Sequence, residues 1–302
     1  MKNKPVCCVT GSAGFIGSNL CDRLTKEGYV VLGIDNLKFG YAYNNNEIIS
    51  TRTIDFADIE QEDLDRCDML LHLSTSNIIF AEGNENEVFL NNAINTIKLF
   101  KRFKGKIVYA GTSSIYGNAD VIPTPETAEH KPSNSYDMSK WLASEFLKQR
   151  GNYTELVLTN TYGENQWPDH KYSGVIGKLI GQALNSQPLQ VIQGQQTRDF
   201  TYVQDVVDAF VLAIEQEAKN CSINIGTGIE TTLIDLAQAI NELASFSRME
   251  VEIIPSRSID KIMRRCLLIE KATYELGWYP KTDLFHGLMK TIQWQIKAYH
   301  NK

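Results

Sequence analysis

Tyr136 and Lys140 stand four residues apart in SNSYDMSKWLASE, residues 133–145, just after a stretch with Pro and Ser that reads as a helix entry. Four residues is about one helical turn, so both side chains leave the same face. An ammonium beside a phenol favours phenolate and lowers the tyrosine pKa, which would make Tyr136 a base near neutral pH. The pair also fits an ordinary polar helix surface, because this spacing recurs by chance. A second pattern with chemistry in its spacing is TGSAGFIG, which places Gly11, Gly14 and Gly17 between an apolar run and a helical one. Glycines there let the backbone turn tightly and approach a pyrophosphate whose charge rests on the helix N-terminus. Asp35 ends the next apolar run, where a carboxylate about 20 residues on accepts from a ribose diol. It would repel a 2′-phosphate, so the pattern points to NAD rather than NADP.

The elements that must position these groups follow from the apolar patterning. PVCCVT (5–10), YVVLGID (29–35), TRTIDF (51–56), CDMLLHLS (67–74), GKIVYAGTS (105–113) and ELVLTN (155–160) read as strands, mostly separated by helical segments. That alternation predicts an α/β fold, a doubly wound parallel sheet with helices on both faces. Beyond about residue 160, helices are expected over 174–187, 203–217, 233–245 (capped by Thr231 or Thr232) and 283–300. Strands are expected over 189–193, 221–226 and 249–255. The expected division is a dinucleotide-binding domain of 1–160, with 198–224 returning to it, and a smaller interleaved C-terminal lobe of 161–197 and 225–302. Asp55 either accepts from an adenine amino group or caps a helix beginning near Asp58. His72 reads as a core histidine rather than a catalyst, and Trp141, Trp278 and Trp294 read as packing.

The chain has 302 residues, 43% hydrophobic and 22% charged, enough for one large or two modest domains. A net charge of −6 argues against a nucleic-acid or membrane-surface partner. An anionic ligand would then need isolated, specific arginines. No apolar run approaches the roughly 18 residues of a spanning helix, and MKNKPVCCVTG lacks the apolar core of a signal peptide. Six cysteines without a CxxC or zinc spacing point to structural thiols in a reducing cytoplasm, and against a metal.

TGSAGFIGSNL, IDNL, HLS, TSSIYG, YDMSK, NTYGEN and TRDFTYVQD occur in this order, followed by LGWYPKTDLFHGLMKTIQW near the end. With them the chain resembles, over essentially its whole length, the nucleotide-sugar epimerases and dehydratases of the extended short-chain dehydrogenase/reductase family. The resemblance implies a Rossmann-type fold, NAD, a nucleotide-diphosphate-sugar substrate and a homodimer paired partly through the helix over 134–149. It implies Tyr136 as catalytic base, Lys140 as its electrostatic partner and ribose ligand, and Thr112, four residues before Tyr116, as the hydroxyl of the triad. Cofactor contacts are implied at Gly11, Gly14, Phe15, Ile16 and Gly17, at Asp35, Asn36, Asp55, Phe56 and Leu73, and at Asn92, Tyr136 and Lys140. Substrate contacts are implied at Thr112, Ser113, Asn160, Arg198 and Arg264. The two arginines would face the diphosphate, which a planar guanidinium suits better than an ammonium does. For Arg198 the plain alternative is a surface ion pair with Asp199 or Asp205. Arg264 and Arg265 are adjacent, so at least one should face solvent.

In this family a hydroxyl, most often at C4 of the sugar, is oxidised to a ketone, and members differ in the fate of that ketone. The resemblance would put an acidic pair after Thr112 in 4,6-dehydratases and a glutamate at the second of those places in decarboxylases. This chain has Ser113 and Ser114. A 4-epimerase is therefore expected. The alternatives are a 4-ketoreductase or 4-dehydrogenase, then a dehydratase or decarboxylase, then a non-catalytic NAD-binding relative. Three departures from the family pattern fall near the nucleotide or sugar pockets. They are the shortened GQQTR turn before Arg198, Ser74-Thr75 after the fourth strand, and Leu268 where an acid is expected.

Overall fold

Apolar residues on both faces of short strands build the frame. The strands are β1 Val6–Thr10, β2 Val30–Ile34, β3 Ser50–Arg52, β4 Met69–His72, β5 Lys106–Thr112 and β6 Tyr153–Leu158. Four short strands come next, β7 Asn160–Tyr162, β8 Leu189–Ile192, β9 Thr197–Arg198 and β10 Phe200–Tyr202, before β11 Cys221–Ile225. The computed structural model describes residues 4–41, 44, 50–170, 173–217, 219–244, 249–256 and 262–300. In it a seven-stranded sheet runs β11-β6-β5-β4-β1-β2-β3, every neighbour parallel. This is the doubly wound Rossmann-type sheet expected from the alternation.

Parallel strands need cover on both faces, and the two cysteines of β1 show it. Cys7 packs into one core cluster with Leu20, Leu24 and Phe210, while Cys8 packs into the opposite one with Phe100, Ala143 and Leu147. Each fully buried leucine of this kind contributes about 2 kcal/mol. The order of connection reverses between β1 and β4, with Thr10 in register with both Ile34 and His72. A crevice at the carboxyl ends of the strands opens there.

The third strand is shorter than the expected 51–56. It stops at Arg52 because Asp55 accepts from the Ala57 amide and caps a single turn, Phe56–Asp58. A local side-chain bond competes successfully with the ladder. Thr232 caps the helix Leu233–Ala244, accepting from the Asp235 amide at 3.0 Å while donating to its carboxylate.

A second core gathers Ile176, Leu179, Ile180, Leu236, Ile240, Leu288 and Ile292 with Phe200, Tyr202 and Val203. It joins the sheet through β6, which runs almost directly into β7, paired in parallel with β10. Ala272, Leu276 and Trp278 belong instead to the sheet-side core, so residues 270–278 pack outside the lobe to which the expected boundary assigns them. Among the described residues no helix is long and apolar enough to cross a membrane.

Candidate active site

The glycine loop leaves β1 and enters the helix Phe15–Lys26. A Cβ on Gly17 would lie 1.9 Å from the Gly11 carbonyl oxygen, and one on Gly11, whose φ is +76°, would lie 2.9 Å from the Ser74 amide. Both positions exclude any side chain. No side chain caps the helix, so its first amides face outward with the positive end of the dipole. Asp35 closes the loop from behind β2, accepting from Ala13 N at 3.0 Å and Leu37 N at 2.8 Å. Burial raises its carboxyl pKa.

These residues line one end of a cavity of about 440 Å³. Phe15, Ile16, Asn36 and Leu73 line it as well, and Thr112, Tyr136, Lys140 and Asn160 complete it from the expected set. An uncapped helix end, a cradle that a Cβ would fill and a carboxylate beyond it fit a dinucleotide. The site is therefore of a shape and charge that suits NAD.

Tyr136 and Lys140 sit on the helix Ser135–Arg150. Asn134 caps that helix by accepting from Asp137 N, and the Asp137 carboxylate accepts in turn from Ser133 N, Ser133 Oγ and Asn134 Nδ2. Lys140 is buried, with Nζ donating to the Ala110 carbonyl at 2.8 Å and standing 4.1 Å above the Tyr109 ring. The Thr112 hydroxyl hydrogen-bonds Tyr136, and Thr112 Oγ1 also accepts from Ser114 N.

The electrostatics correct the sequence expectation for the phenol. Burial pushes Tyr136 up to about 12, against the lowering influence of Thr112 and of Arg265. Burial also pushes Lys140 down to about 7, so the ammonium expected to activate the phenol is itself only partly charged near neutral pH. The protein's own groups thus leave the phenol protonated.

The two arginines also sort differently from the expectation. Arg264 is exposed and paired with Glu230, Nε at 3.0 Å and Nη2 at 2.5 Å. Its neighbour Arg265 faces Tyr136 and Asp137, and its Nε is buried without a protein partner. Sequence reading missed Arg265 because adjacent residues in an irregular segment carry no facing signal. Arg198 donates to the Thr197 carbonyl and to Gln196 Oε1, while both candidate ion-pair partners are bound elsewhere, Asp199 by Thr227 and Asp205 by Thr282. Neither Arg198 nor Arg264 lines the cavity.

Four further candidates lie outside the lining. Asn92 is buried and spent on Ser76, accepting from its amide and donating to its carbonyl. Phe56 packs edge-on to His72, and Asp55 accepts from Asn36 and Ala57. Ser113 is buried in the turn after β5. His72 lies between Thr10 at 2.7 Å and Thr96 at 3.0 Å, and burial keeps it neutral, as a core histidine. Trp278 is fully buried, with Nε1 donating to the Asp205 carbonyl.

Tyr41, Asn44, Trp167 and His170 line the cavity too, and sequence reading did not single them out. Trp167 Nε1 donates to Asn44 Oδ1 at 3.0 Å, and the Tyr41 and His170 rings meet at 4.9 Å. A tryptophan and a histidine around Pro168-Asp169, directly after NTYGEN, were the available signal.

A model of the NAD dependent epimerase/dehydratase family matches residues 7–226. The chain is 32% identical over 304 residues to a putative UDP-glucose 4-epimerase of Methanocaldococcus jannaschii, covering 95% of this chain and 97% of that one. It is 31% identical to UDP-glucuronic acid decarboxylase 1 of Danio rerio, covering 97% and 73%. Among solved structures, UDP-glucose 4-epimerase of Thermotoga maritima with UDP-glucose superposes with a TM-score of 0.90 at 29% identity, covering 97% and 99%.

Proposed function

The chain belongs to the NAD-dependent epimerase/dehydratase family, and on that premise we propose that it is a nucleotide-sugar 4-epimerase. The single observation that carries this choice is the acid content of the cavity. Asp35, at the glycine-loop end, is the one carboxylate among its described lining residues. Eliminating water across C5 and C6 needs an acid and a base beside the sugar, and the places after Thr112 hold Ser113 and Ser114. Epimerisation at C4 needs no acid or base beyond Tyr136. Relatives named as decarboxylases are about as similar as those named epimerases, so the reaction is argued from these residues rather than from the names.

NAD, when bound, supplies the hydride acceptor and a positive charge, and it would be held by Gly11, Gly14 and Gly17, by Asp35 and Asn36, and by Lys140. Tyr136 takes the proton of the C4 hydroxyl as that carbon loses hydride. Thr112 donates to the oxygen that becomes a carbonyl. Arg265, facing Tyr136, lowers the cost of phenolate. The ketone then takes hydride back on its other face, and Tyr136 returns the proton. Asn160 lines the cavity with its amide oxygen buried and unpartnered, a group left for substrate. Tyr41 and Asn44 tie the loop after β2 to Trp167 and His170, which supports a cofactor retained through the cycle.

The test is to incubate the purified protein with a panel of nucleotide sugars without added NAD. Conversion of one sugar to its 4-epimer, with NAD released on denaturation, is the expected result. Turnover only with stoichiometric nicotinamide cofactor would make it a 4-ketoreductase or 4-dehydrogenase instead. The reading extends to a homodimer. Leu90 and Ile94, beside Met138 and Leu142 on the adjoining helix, leave an apolar stripe exposed at one-turn spacing. Light scattering should give a dimer, and Leu142→Glu a monomer.

A further inference from the structure

Glu155 is the third residue of β6, a strand buried along its whole length and lying one in from the β11 edge of the sheet. Its carboxylate accepts from Ser144 Oγ at 2.5 Å and from Ser222 Oγ at 2.5 Å. Ser144 lies one turn after Lys140 on the same helix, and Ser222 is its register partner on β11. On the other side, a Cβ at Gly111 would lie 2.5 Å from Glu155 Oε1. The carboxylate therefore rests against Gly111, next to Ala110, whose carbonyl holds the Lys140 ammonium. Two serines and a glycine make room for an acid inside the sheet.

A lone carboxylate at such a depth is too costly to keep without a counter-charge. Burial raises its pKa, the Ser144 and Ser222 bonds favour the charged form, and the cations that act on it are Lys140 and Lys148 from one helix, of which Lys140 is buried. The other titratable groups facing this region are Tyr109 on β5, Tyr116 in the following turn and Tyr153 on β6, all raised by burial and by Glu155. His72 faces Lys140 from β4 and is neutral. None of these can neutralise Glu155.

We propose that Glu155 is a positioning residue for the Tyr136–Lys140 pair, a buried counter-charge beneath the active site that holds Lys140 as the ammonium. This rests on the reading that Tyr136 and Lys140 act together. Phenolate with ammonium and phenol with amine carry the same number of protons, so they are two arrangements of one state. An anion on the lysine side favours the first, which is the working one. Burial pulls Lys140 down and Glu155 pulls it back up, so the carboxylate decides how much of the protein is ready to react.

The experiment is a pH titration of NAD-loaded protein carrying lysine labelled with ¹³C at Cε, with Lys140→Met identifying the signal. In Glu155→Gln the Lys140 midpoint should fall by about one pH unit or more. Glu155→Asp should restore most of it. The maximal kcat should fall about tenfold in Glu155→Gln, with KM for the sugar nucleotide nearly unchanged. The thermal midpoint at about pH 8 should change by only a few degrees, because there Lys140 can release its proton rather than stand charged without a partner. An unmoved Lys140 midpoint overturns the proposal, as does a kcat loss that follows a loss of thermal stability. Should Glu155→Gln not fold, Ser222→Ala removes one bond from the carboxylate and should lower the midpoint less, in the same direction. The lysine titration needs no turnover. A protein that converts no nucleotide sugar would defeat the epimerase reading while leaving this result interpretable.

Discussion

The two ends of the cavity are specified in different ways. At the glycine-loop end, backbone atoms leave no space. Gly17 meets the Gly11 carbonyl and Gly11 meets the backbone of Leu73 and Ser74 just after β4, so residue type follows from sterics alone. At the other end the requirement is for positive charge near Tyr136, and either of two adjacent arginines satisfies it in the sequence. The path of the chain decides between them. Residues 266–268 are anchored to Thr124 by backbone bonds on both sides, which leaves Arg265 inward and Arg264 on Glu230. A site built on backbone contact can be read from local spacing, while one built on charge needs the tertiary path first.

Tyr136→Phe, where the two ends meet, should have the largest effect, a loss of about 10³ in turnover with NAD content and fold intact. Turnover that survives would mean the two ends do not converge on the phenol at all. Gly17→Ala should cost about 1–3 kcal/mol or more by urea unfolding, and the purified protein should have lost its NAD. A stable, NAD-loaded alanine variant would show the loop to be less tight than the 1.9 Å approach implies. The arginine end is sharpened by a paired comparison. Arg265→Ala should lower kcat/KM about tenfold and move its acid limb to higher pH, because a cation favouring phenolate is gone. Arg264→Ala, on an exposed pair, should stay within about twofold. Equal effects would erase the distinction.

The smallest expected effect concerns stability. Lys140 titrates at about 7 in the folded protein, below its unfolded value. Between the two the unfolded chain holds more protons, so the lysine opposes folding below the folded pKa and is relieved as pH rises through this window. The thermal midpoint of Lys140→Met relative to the parent should therefore be highest near pH 6 and decline toward about pH 10. A flat difference would mean the lysine is not buried in its charged form.

Much of the fold was legible because buried parallel strands and amphipathic helices carry strong periodic patterns. The failures were local. Asp55 ended β3 early through one side-chain bond that apolar patterning does not register. In the site, Gly11, Gly17 and Asp35 were readable from short spacings, and Tyr136 with Lys140 from one helical turn. Thr112 came from resemblance. Glu155 passed as part of a strand, since nothing in YTELVL says that the charge of a lysine on a helix will act on it. Trp167 and Asn44, 123 residues apart, meet only in three dimensions.

The cap at Asn134 ties the tyrosine to a stretch of sequence in which every residue is counted. Ser133, Asn134 and Asp137 hold the first turn, and Tyr136 lies between the cap and the acid that closes it. One residue inserted between 133 and 140 would turn the phenol about 100° around the helix, away from Thr112. The same insertion in the loop 127–131 would leave the phenol at its place on the helix. Gain and loss of residues in this chain should therefore collect before Ser133 and stop there.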